Sequence, residues 1–268
     1  STGGSLLAAE AVANGDVGAA FNISGGLHHA APGHASGFCV FNDPALAIHY
    51  FLNKGMRVVY VDIDAHHGDG VQEAFYTDDR VLTISVHESG QYLFPGTGAV
   101  IEMGVGTGRG YSVNLPLFPY TGDDDYIEGF SQVVPPLIRA FNPDVLVAQL
   151  GIDSYHRDPL THLQMTTEGY IEVVRQLIEL GLPLLALGGG GYDVNAVARA
   201  WTLVYGMLLD AEWPNILPPG FARKHGVGHL RDETSPEGSE ELKVDIRRHL
   251  EATVGEIRQQ IFPIHGLK

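Results

Sequence analysis

The sequence predicts an α/β fold: a mostly parallel sheet flanked by helices, in one domain over residues 1–268. Three observations lead there. Strand-like apolar runs alternate with amphipathic stretches along the chain, the pattern of a doubly wound sheet. Asp144–Leu150 and Pro183–Leu187 are apolar on both alternating positions, as strands covered on both faces are. Residues able to do chemistry follow these runs directly, and open parallel sheets bind ligands beyond the carboxyl ends of their strands. At 268 residues and 44% hydrophobic content, the chain can bury a large core.

Taken in order, Ser5–Asn14 reads as a helix closed by Gly15, and Val17–Ile23 as the first strand. A loop rich in Gly and His covers Ser24–Phe41. Asn42 or Asp43 caps a helix to about Asn53, with Pro44 in its first turn, where the missing N–H costs nothing. Arg57–Ile63, Val81–Val86 and Tyr111–Leu115 are strand-like, with a short helix Gly70–Tyr76 between the first two. Asp123–Phe141 reads as a helix that Pro135-Pro136 should kink or break; its opening Asp123-Asp124-Asp125 places negative charge where a helix N-terminus favours it. Thr166–Leu180, capped by Thr166 or Thr167, forms an amphipathic helix between the strands Asp144–Leu150 and Pro183–Leu187. Val194–Leu209 is helical with Trp201 on its apolar face. Gly226–Glu241 is polar and reads as a surface loop before a final helix over about 242–261.

A formal charge of −16 with no Lys/Arg-rich run argues against nucleic acid or an anionic membrane surface as a direct partner, and fits a cationic substrate such as a lysine-bearing protein or a polyamine. Cys39 is the only cysteine, which excludes an intramolecular disulfide and a cysteine-based metal cluster. It lies beside Phe38 with no base to activate it, and reads as packing. No apolar run approaches the length of a bilayer span. The chain opens on Ser1 and enters helical sequence at once, so it reads as cut from a longer protein.

Four strand ends carry unusual chemistry. After the first, Gly25-Gly26-Leu27-His28-His29 lets a glycine turn fan adjacent imidazoles into one cleft, a pair suited to proton transfer near neutral pH when carboxylates orient the rings. After Arg57–Val61 comes Asp62-Ile-Asp64-Ala-His66-His67-Gly-Asp69. Asp64 and His66 can share one divalent metal while the neighbouring acids support them; a charged turn capping the next helix would use the same residues. Asp153 in Gln149-Leu-Gly-Ile-Asp153-Ser154 would complete three ligands, and three protein ligands with an open position mark a catalytic metal site. Gly188-Gly-Gly-Gly-Tyr192 delivers a phenol able to donate to a developing oxyanion. No Walker-type Lys follows, so phosphate binding is weakly supported. His67 reads as a structural hydrogen-bonder, and His87, His156 and His162 carry no assigned role.

Together with Ala35-Ser-Gly-Phe-Cys-Val-Phe-Asn-Asp43, Gly68-Asp-Gly-Val-Gln-Glu-Ala-Phe75, Phe94-Pro-Gly-Thr-Gly98, Tyr111-Ser-Val-Asn-Leu-Pro116 and Asp158-Pro-Leu160, these ends resemble the histone deacetylase family. These are zinc-dependent lysine deacetylases with an arginase-like α/β fold. The resemblance runs from Ser1 to about Leu209, and the pattern is most similar to the bacterial acetoin-utilisation deacetylases. It implies Asp64, His66 and Asp153 as zinc ligands. His28 and His29 become proton-handling histidines, backed by Asp62 and Asp69, and Tyr192 polarises the acetyl carbonyl. Gly37, Phe38 and Phe94 line the channel for the lysine stem, with Leu160 at its mouth. Structural potassium ions would lie near Asp62, Asp64, His66 and Ser85, and near Phe75, Asp78, Val81 and Tyr111. In relatives, strands and a rim loop precede the part corresponding to Ser1, so Val17–Ile23 should form an exposed sheet edge.

The resemblance further implies an acetyl-lysine-bearing protein as substrate, an acyl-CoA synthetase by analogy, and a cytoplasmic location. Ile152 stands where relatives carry a small residue, and Tyr155-His156-Arg157 replaces a small, Gly-containing stretch, so the rim should differ. Three rival functions use similar parts: acetylpolyamine hydrolysis, binuclear manganese ureohydrolysis with a second metal near Gly151, and non-catalytic acyl-lysine binding.

Overall fold

The computed structural model describes residues 1–236 and 238–268; position 237, within the Gly226–Glu241 stretch, lies outside the described residues. In chain order the elements are α1 (Thr2–Ala13), β1 (Ala19–Asn22), α2 (Asp43–Asn53), β2 (Val58–Asp62), α3 (Asp69–Phe75), β3 (Val81–Glu88), β4 (Ser112–Leu117), α4 (Asp123–Phe141), β5 (Val145–Gln149), α5 (Thr167–Ile178), β6 (Leu184–Leu187), α6 (Val194–Leu208), α7 (Pro219–His225) and α8 (Glu240–Gln260). The short α7 had no sequence counterpart.

Alternation along the strands builds two cores. Val59, Val61, Leu82, Ile84, Val113, Leu115, Leu146 and Ala148 face the apolar layer made with α4, α5, α6 and α8. Val58, Tyr60, Val81, Val145, Val147 and Leu185 face the layer made with α1, α2 and α3. Both faces being covered explains why the strands read as continuous apolar runs.

The sheet has six strands in the order β1-β6-β5-β2-β3-β4, and every pairing is parallel. From β2 the chain proceeds through β3 to β4 in one direction; from β5 it proceeds to β6 in the other. The order therefore reverses between the neighbours β2 and β5, and the crevice beyond their carboxyl ends is where such sheets place ligands. β1 lies at one edge, as expected, pairing with β6.

The helix caps follow sequence chemistry. Asn42 Oδ1 accepts from the Ala45 amide at 2.9 Å, and Thr166 Oγ1 accepts from Glu168 and Gly169 at the start of α5. Pro135-Pro136 do not break α4, which runs unbroken to Phe141. Val133, Val134, Leu137 and Ile138 are fully buried around the proline pair. The carbonyls of Ser131 and Gln132, deprived of their helical donors, belong to half-buried residues that water can reach.

Nor is Gly226–Glu241 merely a surface loop. Leu230 is buried, and Asp232 bridges the Thr167 amide at 2.9 Å and the Arg199 guanidinium at 2.9 Å. Tyr155, expected at the rim, is also buried: its hydroxyl accepts from Arg199 at 2.8 Å and from Arg157 at 3.0 Å, and lies 3.1 Å from Asp232. Asp232→Ala should leave Arg199 buried without its counter-charge and cost about 3 kcal/mol, read as a lowered urea midpoint; an unchanged midpoint would return this stretch to the surface.

Candidate active site

β2 ends at Asp62, and its continuation turns Asp64 and His66 toward β5's continuation, which carries Asp153. The ligand-type atoms of Asp64, His66 and Asp153 all lie within 4.8 Å of one another. His66 Nδ1 is 2.8 Å from Asp153 Oδ2 and 3.1 Å from Asp64 Oδ1. Asp64 and Asp153 are both fully buried. Burial, followed by the Asp64 charge, pushes the Asp153 carboxyl up to about 7. Burial opposes the His66 imidazolium, but hydrogen bonds and charge from Asp153 and Asp64 outweigh it and push the ring up to about 11. Two buried carboxylates and one imidazole converging on one point form an O,N,O donor set that fits a divalent cation, whose charge offsets their repulsion.

The supporting contacts are dense. Gln149 Nε2 donates to Asp64 Oδ2 at 2.8 Å, and the Gly190 amide donates to the same oxygen at 2.7 Å. The Ala65 amide donates to Asp153 Oδ1 at 2.6 Å. Backbone must come this close here, and only glycine permits it: a Cβ on Gly190 would fall within 3 Å of both Asp153 and Asp64. On the far side, Tyr170 Oη and Trp201 Nε1 each donate to the Leu150 carbonyl at 2.8 Å, fixing the turn that leads to Asp153. Trp201 thus does more than fill an apolar face.

Beside this cluster lie the tandem histidines, their Nε2 atoms 3.1 Å apart. His28 Nδ1 is 2.7 Å from Asp62 Oδ2, and His29 Nδ1 is 2.7 Å from Asp69 Oδ1. Asp62 is fully buried and also accepts from Tyr60 Oη at 2.6 Å; Asp69 keeps 27% of its side chain exposed. The two rings are held differently. Burial works against a charged His28, but Asp62 and Asp64 overcome it and raise the ring to about 9. Burial and the adjacent His28 hold His29 below the ordinary histidine value, despite Asp69. Asp43, fully buried, accepts from the Gly26 amide at 3.1 Å and the Leu27 amide at 2.9 Å, anchoring the histidine loop to α2.

Asp64, His66, His28, His29, Gly37, Phe38 and Tyr192 line one cavity of about 70 Å³. Gly37 and Phe38 occupy the tip of a hairpin closed by Ser36 and Cys39, with φ of 49° and 65°. Phe38 stands 84% exposed there, its ring 6.2 Å from Tyr192. Gly37 packs so closely on His29 that a Cβ would collide with the imidazole. Phe94 meets His29 edge-on at 5.1 Å and His66 at 6.4 Å, but does not itself line this cavity. Leu160 is 44% exposed on the loop after Asp153.

The residues associated with potassium fall in two groups. Ser85 pairs in register with Asp62 across β2 and β3, and its hydroxyl lies 2.9 Å from His87. Phe75, Asp78 and Val81 share the turn after α3, where the Phe75 carbonyl accepts from Asp78 at 3.0 Å, while the Tyr111 carbonyl accepts from Thr83 at 2.9 Å. His67 is the expected structural hydrogen-bonder, 2.8 Å from Thr97 Oγ1. Cys39 is buried, and burial pushes its thiol up to about 11. Gln149, Tyr60, Asp43 and Asp158 carry roles that the motifs did not announce, although Asp43 and Asp158 stand inside quoted motifs and Gln149 ends an otherwise apolar strand.

Comparison with known proteins agrees with this geometry. A histone deacetylase domain matches residues 1–208. The chain is 45% identical to the acetoin utilization protein AcuC of Bacillus subtilis over 224 residues, 81% of this chain and 58% of that one. It is 46% identical to human histone deacetylase 1 over 218 residues, 81% of this chain and 45% of that one. Against these curated relatives it spans about half of their length. A solved HDAC homolog complexed with SAHA superposes with a TM-score of 0.85 at 33% identity, covering 94% of this chain and 72% of that one.

Gly190→Ala should push a methyl group against both buried carboxylates and weaken metal affinity by about ten- to a hundredfold. Competition with a chromogenic chelator measures this, and unchanged affinity would remove Gly190 from the support of the cluster.

Proposed function

Because the chain belongs to the histone deacetylase family, we propose that it hydrolyses the acetyl amide of acetyl-lysine in proteins in a zinc-dependent reaction. One observation carries the reading: Asp64 and His66, the carboxylate-backed histidine pair and the Tyr192 phenol line a single cavity, with Asp153 buried directly behind Asp64 and His66.

Zinc held by Asp64, His66 and Asp153 would polarise the acetyl carbonyl and acidify water. The protein's own groups do the rest. His29, the ring kept neutral, accepts the proton of the attacking water while Asp69 orients it. His28, held charged by Asp62, gives a proton to the leaving lysine nitrogen. Tyr192 donates a hydrogen bond to the oxyanion that forms on the carbonyl; burial and the charges of Asp153 and Asp64 push its phenol above the ordinary tyrosine value, so it keeps its proton. Phe38 and Phe94 flank the lysine's aliphatic stem. Structural potassium near Asp62, Asp64, His66 and Ser85, with a second ion near Phe75, Asp78, Val81 and Tyr111, belongs to the same reading, as does a cytoplasmic acetylated protein such as an acyl-CoA synthetase.

Two observations favour this over its rivals. Leu160, 44% exposed on the loop after Asp153, is the residue that the resemblance puts at the channel mouth, and an apolar side chain there disfavours the acidic gatekeeper of a polyamine-selective site. At Gly151, where a second metal would need a carboxylate, a Cβ would already fall within 3 Å of Asp64. Among the described residues no helix is long and apolar enough to cross a membrane.

With zinc bound, turnover of an acetyl-lysine peptide should exceed that of acetylputrescine. The reverse order would make the protein a polyamine hydrolase. Tyr192→Phe should cut kcat by about a hundredfold or more with metal content retained; near-normal turnover in that variant would exclude the phenol from the chemistry.

A further inference from the structure

Tyr192 is delivered by Gly188-Gly189-Gly190-Gly191, a run with no side chain of its own to fix the residue that follows. What holds the Tyr192 backbone comes from another loop. Asp158, 8% exposed, accepts from the Tyr192 amide through Oδ2 at 2.8 Å and from the Leu160 amide through Oδ1 at 2.9 Å. One carboxylate therefore joins the segment carrying the phenol to the segment carrying Leu160. The Asp158 loop is itself tied down on both sides. The Asp158 amide donates to the Tyr155 carbonyl at 2.8 Å, and the Thr161 hydroxyl donates to the Asp153 carbonyl. Two residues past Leu160, His162 reaches the buried Glu88 with its amide at 2.8 Å and its ring at 2.7 Å. On the other side Asp193 caps α6 through the Asn195 and Ala196 amides, so Tyr192 sits between a side-chain-free run and a rigid helix start.

We propose that Asp158 is a positioning residue for the deacetylation described above, and so rests on that reading: its carboxylate, bridging the Leu160 and Tyr192 amides, sets where the Tyr192 hydroxyl stands relative to the metal-ligand cluster. It touches neither substrate nor metal and acts through Tyr192. A displacement of the donor by about 1 Å is enough to cost around a hundredfold in rate. Asp158→Ala removes both acceptors. Asp158→Asn keeps one oxygen and opposes an amide NH2 to one of the two N–H groups, so its effect should be smaller.

Two measurements decide it. Hydrogen exchange reads the anchor without any substrate: in Asp158→Ala the Tyr192 amide should exchange at least about tenfold faster, while Val145–Gln149 stays protected. Unchanged exchange at Tyr192 overturns the proposal, whatever the enzyme does. Kinetics then read its consequence. Asp158→Ala should lower kcat by about ten- to a hundredfold with KM within about threefold, Asp158→Asn should lie between it and wild type, and in a Tyr192→Phe background Asp158→Ala should add less than about twofold. A full additive loss in the double variant overturns a route through Tyr192. If the wild type leaves acetyl-lysine intact, the deacetylase reading falls by itself, and exchange still decides the anchor. If Asp158→Ala loses protection throughout, Asp158→Asn is read by the same two criteria.

Discussion

Two carboxylates, Asp64 and Asp153, are buried in the same few ångströms with a single imidazole between them. Like charges so close and so dry are unfavourable unless something offsets them. Much of the surrounding architecture answers that constraint. Gln149, the Gly190 amide and the Ala65 amide all aim donors at these carboxylates. The sheet supplies the meeting point, since β2 and β5 are neighbours at the reversal of strand order and each ends on a ligand-bearing turn. A divalent cation held by Asp64, His66 and Asp153 would complete the balance with its own charge.

The same field reaches the histidines. His28 Nε2 lies 4.0 Å from Asp64, and His28 shares the fully buried Asp62 with Tyr60; His29 leans on the partly exposed Asp69. Two chemically identical side chains, adjacent in sequence, are thereby given different proton affinities. That division suits a reaction needing a base first and an acid later. Glycine serves the site by letting backbone approach: Gly190 against the carboxylates and Gly37 against His29.

Much of this was legible in the sequence because its signals are local. The strands were marked by continuous apolar runs, with boundaries shifted by one or two residues, and the histidine pair, the Asp-x-Asp-x-His run, Asp153 and the glycine run each sit directly after one of them. The caps Asn42 and Thr166 were likewise readable from residue type. The failures share a different cause. Whether Pro135-Pro136 interrupt α4 depends on the apolar residues that pack around them, and whether Gly226–Glu241 is surface depends on Asp232 meeting Arg199, 33 positions away. Tyr155 looked like a rim residue until the same ion pair claimed its hydroxyl. Asp158 and Gln149 stand inside quoted motifs, but their roles went unread because these lie in which distant N–H or carboxylate each meets, and no local pattern encodes that.

The most direct measurement of the central claim is anomalous diffraction at the zinc edge from crystals of the zinc-loaded protein. The account predicts one ion per chain, at about 2.0–2.2 Å from His66 Nδ1 and from one oxygen each of Asp64 and Asp153. A pair of bridged ions, or a single peak elsewhere, would contradict it.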